Sequence, residues 1–213
     1  MARAATGTGS RSRGAPSARV WAFATAAAVA LLLVACTSLP PPPSTAERSY
    51  AGRFSLAVTR VQAGNGEQRS AWSGRFALAV GPQSMTLDLL SPLGATIARF
   101  ETDEREARLL VPADGGMRIA RGADAQTLAE QVLGWSLPIE GMADWVEGRP
   151  SNGRPFQRLA ADEGAERFEQ DGWSVTIERR TDSKAGRRLQ MERPARDGMP
   201  SVALRVVLDA PAS

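Results

Sequence analysis

Arg75-Phe76-Ala77-Leu78-Ala79-Val80-Gly81-Pro82-Gln83-Ser84-Met85-Thr86-Leu87-Asp88-Leu89 is the stretch that decides the fold class. Phe76, Leu78 and Val80 repeat at every second residue, Gly81-Pro82 interrupts, and Met85, Leu87 and Leu89 resume the same alternation. Period two puts the apolar side chains on one face of a strand, and glycine with proline marks a turn, so the stretch reads as two antiparallel strands. The pattern spreads in both directions. Upstream lie Phe54, Leu56 and Val58, and then Trp72; downstream come Leu109 with Val111, then Trp173, Val175 and Ile177. Leu189 with Met191 and the run Val202, Leu204, Val206, Leu208 close the chain, and Gly64-Asn65-Gly66 and Gly115-Gly116 supply further turns. These are amphipathic strands, suited to a sheet with one dry and one wet face.

The middle departs from this period. Asp124 is placed to cap a helix over residues 125–133, with Gly134 ending it, and Leu128 and Val132 would share a face. After Leu137-Pro138-Ile139 a second short helix is expected from Glu140 to Glu147, with Met142, Trp145 and Val146 on its apolar side and Gly148 closing it. Two short helices form no core alone, so they must lie against the sheet as packing or as a lid. The expected fold is mainly β: one curved antiparallel sheet with short helices on its concave side, in a single domain.

Composition removes whole classes of function. The 213 residues contain no His and one Cys, which excludes Ser-His-Asp and Cys-His catalysis, an intrachain disulfide and a Cys cluster for a metal. At 43% hydrophobic and 23% charged residues, the chain suits a globular domain. Asp103, Glu104 and Glu106 lie close together, as do Asp162, Glu163 and Glu166, but both clusters sit in polar stretches and read as solvated faces rather than paired catalytic carboxylates. No long Lys/Arg run provides the electrostatic footprint that nucleic acid requires.

The amino-terminal segment reads as an export signal. Arg3, Arg11, Arg13 and Arg19 are the only charges before Cys36, and Val20 to Val34 is free of charge and too short to span a bilayer comfortably. Without those four arginines, 22 basic residues face 23 acidic ones. Leu33-Val34-Ala35-Cys36 resembles the lipobox of bacterial lipoprotein precursors, which implies cleavage before Cys36 and its acylation. The bland alternative is a free thiol beside an anchor that is never cleaved. Several acyl chains, at about 0.8 kcal/mol per buried methylene, would attach the chain essentially permanently. Thr37, where inner-membrane lipoproteins often carry Asp, points by resemblance to the outer membrane. The expected organisation is a signal over residues 1–35, a lipidated Cys36 with a tether containing Pro40 to Pro43 up to residue 49, and one domain over residues 50–213.

Within that domain Ser91-Pro92-Leu93-Gly94, directly after a strand, resembles the Pro-Leu-Gly turn of the outer-membrane lipoprotein receptor LolB family. Other pieces fall in the family's order: the lipobox, Trp72-Ser73-Gly74-Arg75-Phe76, the helix ending Leu133-Gly134, Leu137-Pro138-Ile139, Trp145-Val146-Glu147-Gly148 and Gln170-Asp171-Gly172-Trp173-Ser174-Val175. The chain departs from the family where Leu78 stands in place of a frequent Trp, and in its short approach to the first strand.

The resemblance implies an unclosed β-barrel with a helical lid over an apolar cavity. It also implies a receptor that takes acylated lipoprotein cargo from a LolA-like periplasmic carrier and places it in the inner leaflet of the outer membrane, with no reaction catalysed. It makes Phe54, Leu56, Trp72, Phe76, Leu87, Leu89, Trp173 and Val175 candidates for the cavity wall, and Leu128, Val132, Met142 and Trp145 for the lid side. An apolar stripe at period two is ordinarily plain core, so the cavity comes from the resemblance alone. Pro92, Leu93 and Gly94 would form a loop that enters lipid, with Leu93 at its tip. No cofactor, metal or nucleic acid is expected, and the domain is expected to be a monomer. The rival reading is a structural or accessory lipoprotein of an envelope assembly, with an apolar face turned to a protein partner.

Overall fold

Strand alternation is realised from end to end in the computed structural model, which describes residues 46–62, 64, 66–178 and 187–210. Cys36, the proline tether and Arg179-Arg180 lie outside the described residues. The strands are β1 (Arg48–Gln62), β2 (Gly66–Val80), β3 (Met85–Leu90), β4 (Thr96–Thr102), β5 (Ala107–Ala113) and β6 (Gly116–Gly122). Helices α1 (Ala125–Leu133) and α2 (Ile139–Trp145) follow, and then β7 (Phe156–Leu159), β8 (Ala165–Gln170), β9 (Trp173–Glu178), β10 (Arg188–Arg193) and β11 (Ser201–Leu208).

The strands form one 11-stranded sheet in the order β6-β5-β4-β3-β2-β1-β11-β10-β9-β8-β7, every pair antiparallel. From β1 the chain steps outward to one edge at β6. It then crosses by the two helices to the other edge at β7, and steps back until β11 pairs with β1 over Gly52↔Leu208 to Thr59↔Ser201. Edges β6 and β7 are not hydrogen-bonded to each other, so the sheet is an unclosed barrel.

Alternation decides which residues meet inside. Phe54, Leu56, Val58, Phe76, Leu78, Val80, Leu87, Phe100, Leu109, Trp173, Val175, Ile177, Leu189, Met191 and the even residues of β11 are buried, and Leu128, Ala129, Met142 and Trp145 of the helices pack on them. Among the described residues, the buried core runs from Phe54 to Leu208. The Asp124 carboxylate accepts from the Thr127 N–H at 2.7 Å, and Gly134, with φ 74°, ends α1 in the left-handed conformation that glycine adopts without strain.

The second helix differs from its expected range of 140–147. It starts one residue earlier and stops at Trp145, because the chain then tightens into i→i−3 bonds, Glu147 N–H to Asp144 and Gly148 N–H to Trp145. Among the described residues no helix is long and apolar enough to cross a membrane.

Candidate functional site

The middle of β1 and the middle of β2 carry the same tripeptide, Gly52-Arg53-Phe54 and Gly74-Arg75-Phe76, and the register pairs them head to tail. Gly52 faces Phe76, Arg53 faces Arg75 and Phe54 faces Gly74. A Cβ on Gly52 would come within 2.8 Å of the Phe76 ring, and one on Gly74 within 3.1 Å of the Phe54 ring. Each ring therefore lies over the glycine opposite, filling the space that a side chain would take. The repeat is visible in the sequence, but its meaning depends on the register.

Those two rings open onto a cavity of about 20 Å³ whose exposed lining is entirely apolar: Phe54, Leu56, Phe76, Leu87, Leu89, Leu204 and Val206 from the sheet, with Leu137 and Met142 above them. Space for one water between hydrocarbon walls stays dry, because a water there would find no polar partner. It is far below the roughly 300–1,000 Å³ of an ordinary ligand site. The helical layer is therefore closed down on the sheet.

Because neighbouring strands alternate in direction, the β1–β2, β3–β4, β5–β6, β8–β9 and β10–β11 connections gather at one end of the barrel, here called its mouth. The β3–β4 connection is built around Pro92. Gly94 N–H returns to the Ser91 carbonyl at 2.9 Å, Ser91 N–H donates to Ala95 O at 2.7 Å, and Gly94 takes φ 87°. Proline suits position i+1 of such a turn, and a following left-handed glycine lets the chain rejoin β4. Leu93 is left at the apex, 98% exposed. Nearby at the mouth, Trp72 of β2 stacks on Trp135, with ring centroids 6.1 Å apart and planes 21° from parallel, and Arg60 donates to the Gly134 carbonyl at 3.4 Å.

The opposite end is held by a denser polar cluster. Glu147, just past α2, accepts hydrogen bonds from Arg48, from Tyr50 at 2.5 Å and from Arg149 at 2.9 Å. Burial pushes its carboxyl up, but the bonds from Tyr50, Arg149 and Arg48 outweigh that and hold it below the usual carboxylate value. Burial and the bond to Glu147 push the Tyr50 hydroxyl up. At the mouth end of β8, buried Gln170 accepts from Trp145 Nε1 at 2.9 Å and from Ser151 N–H at 2.8 Å, pinning α2 to β8. Among the described residues no group of three acidic or thiol side chains is placed to hold a metal ion.

With this geometry in view, comparison with known families matches residues 49–210 to the family described as "Outer membrane lipoprotein LolB". The chain belongs to the LolB family. The match takes in β1 almost from its first residue and all of β11. Proteins named "Outer-membrane lipoprotein LolB" are similar over most of their length. That of Bordetella petrii is 36% identical over 156 residues, 71% of this chain and 75% of its own. That of Cupriavidus pinatubonensis is 34% identical over 173 residues, 78% of this chain and 79% of its own. That of Bordetella pertussis is 37% identical over 149 residues, 68% and 71%. LolB is a family of lipoprotein trafficking at the outer membrane, not a known enzyme family.

The LolB domain sorts the candidate residues into three groups. Phe54, Leu56, Phe76, Leu87, Leu89 and Met142 line the cavity. Leu128, Trp145, Trp173 and Val175 are buried in the packed core and do not line it. Trp72 and Val132 are each 44% exposed, on the parts of β2 and α1 that run past the cavity to the mouth. Leu137 and Trp135 are the residues that sequence reasoning missed. Leu137 could have been found as the apolar residue ahead of Pro138, whereas Trp135 follows a helix end and carries no periodic signal.

Proposed function

We propose that this LolB-family chain receives acylated lipoproteins from a LolA-like periplasmic carrier and inserts them into the inner leaflet of the outer membrane, working as a monomer anchored through acylated Cys36. The observation that carries this reading is the wholly apolar cavity closed by Leu137 and Met142. Acyl chains passing from one dry site to another keep most of their hydrophobic stabilisation, so transfer needs only a modest difference in affinity and no chemical step. A cavity of about 20 Å³ holds no acyl chain, so the helical layer must move away from the sheet. It is fastened unevenly: Glu147 and Gln170 pin the α2 end, whereas the α1 end is held by the 3.4 Å bond of Arg60 and a 3.6 Å ion pair between Arg193 and Glu130. Opening accordingly begins at the carboxyl-terminal end of α1, which lies at the same end of the barrel as the Pro92-Leu93-Gly94 loop. Leu93 has no core to enter and gains roughly 1.5–3 kcal/mol by entering lipid instead.

The test uses residues 37–213 without the lipid, carrier loaded with a labelled lipoprotein, and liposomes. Wild-type protein is expected to strip the carrier and deliver to liposomes. Leu93→Glu is expected to strip it equally well and deliver at least tenfold more slowly, as the loss of about 1.4 kcal/mol or more of lipid contact requires. Delivery by the variant at the wild-type rate would remove the role of the loop. Failure of both folded proteins to strip the carrier would remove the receptor reading.

A further inference from the structure

The outer face of the twin Gly-Arg-Phe motif carries a feature that cavity and loop leave unexplained. Arg53 and Arg75 stand directly opposite each other on neighbouring strands, both exposed, and Arg205 lies diagonally from Arg53 because its own partner is Ser55. Like charges directly opposite in a sheet are destabilising. Two other strand arginines face an acid: buried Arg99 faces Asp88, and Arg188 faces Glu178. The other facing arginine pair, Arg108 with Arg121, has Glu101, Asp103 and Glu106 within 4.0 Å. The Arg53–Arg75 pair has only Asp209, at 3.2 Å from Arg75. Among the described residues Arg53 and Arg205 have neither a hydrogen bond nor an ion pair.

The position of this unbalanced charge matters. Arg75 pairs with Leu90, three residues before Leu93, so the arginines flank the base of the protruding loop. Between Leu89 and Phe100 the chain has no acidic residue, and Leu93 and Ile97 are both exposed there. Apart from Val207 and Leu90, which face Arg53 and Arg75, the neighbours on the same face, Ala51, Ser55, Ala57, Ser73, Ala77 and Ala203, are small, so the guanidinium groups stand above a low surface. An exposed apolar tip beside unpaired arginines on a low face is complementary to one kind of surface: hydrocarbon behind a layer of phosphates.

We infer that Arg53, Arg75 and Arg205 form a headgroup-binding face for anionic phospholipid, which holds the barrel against the bilayer while Leu93 penetrates it. The inference rests on the reading of the Leu93 loop as the lipid-entering end. Guanidinium groups supply paired donors to phosphate oxygens, and each basic residue near an anionic surface strengthens attachment by about fivefold. The lipid also supplies the counter-charge that the facing arginines lack within the protein.

The test is flotation of residues 37–213 with vesicles of phosphatidylcholine alone or containing phosphatidylglycerol. Wild-type protein is expected to bind the phosphatidylglycerol vesicles more strongly, with the excess lost as salt is raised. The double variant Arg53→Gln/Arg205→Gln is expected to lose that excess by roughly 20–30-fold while binding phosphatidylcholine as before. Its thermal midpoint should be unchanged or higher, since a repulsion has been removed. Leu93→Glu should bind both vesicle types more weakly, while still preferring those with phosphatidylglycerol. If it bound phosphatidylcholine as the wild type does, the loop reading alone would fall. Equal binding of wild type and double variant to phosphatidylglycerol vesicles would overturn the proposal. So would a double variant that floats normally but fails to strip the carrier, which would make the face a protein contact.

Discussion

Gly74 shows how narrowly single residues set the inner surface. A Cβ there would lie 2.0 Å from the Leu90 carbonyl oxygen and 3.1 Å from the Phe54 ring, and a backbone carbonyl in a paired strand cannot swing aside. Gly74→Ala is therefore expected to destabilise the domain by roughly 1–3 kcal/mol, read as a lower urea midpoint with an unchanged slope. An unchanged midpoint would mean that β2 and β3 separate freely at this point. At this scale the sequence was legible where the determinants are local. Leu93 follows a proline and precedes a glycine, and both its turn and its exposure could be read from those neighbours. Trp72 was legible only in part: its period two places it on the inner face, yet period says nothing of how far a strand runs beyond the cavity.

The helices illustrate the same limit one level up. The start and stop of α1 were written in Asp124 and Gly134, because caps act within a turn. The fastening of α2 could not be read, since the partners of Glu147 lie 99 and 97 residues away at Arg48 and Tyr50. This cluster makes a pH-dependent contribution with a definite sign. A carboxyl held below its ordinary value of 4.5 adds stability above that value and loses it as pH falls through its lower folded-state value. Glu147→Gln should thus cost about 1–2 kcal/mol at neutral pH, the partial exposure of the cluster keeping the figure modest. The gap to wild type should close as the solution is acidified below pH 4.5, the ordinary value. Thermal melts of both proteins across pH 3–7 would check this, and a gap that persists unchanged at the acid end would refute the assignment.

For the molecule as a whole, the class of fold was legible because alternation recurs in strand after strand, whereas the strand order was not, because nothing in a period names the neighbour. The decisive pairing is β1 with β11, which joins two six- and five-stranded halves into one sheet. Ending the chain after Pro200 would remove β11 and leave β1 and β10 each without a partner on one side. That truncation is expected to abolish cooperative unfolding and to make the whole domain protease-sensitive; a truncated chain with a sharp urea transition would show that one half stands alone.

The same pairing sets a schedule. Synthesis runs from amino to carboxyl terminus, so β1 is made well before its central partner β11. Closing that pair spans nearly the full domain, which is the slow, late kind of contact. The two halves of the sheet can thus be joined across its middle only once β11 is available.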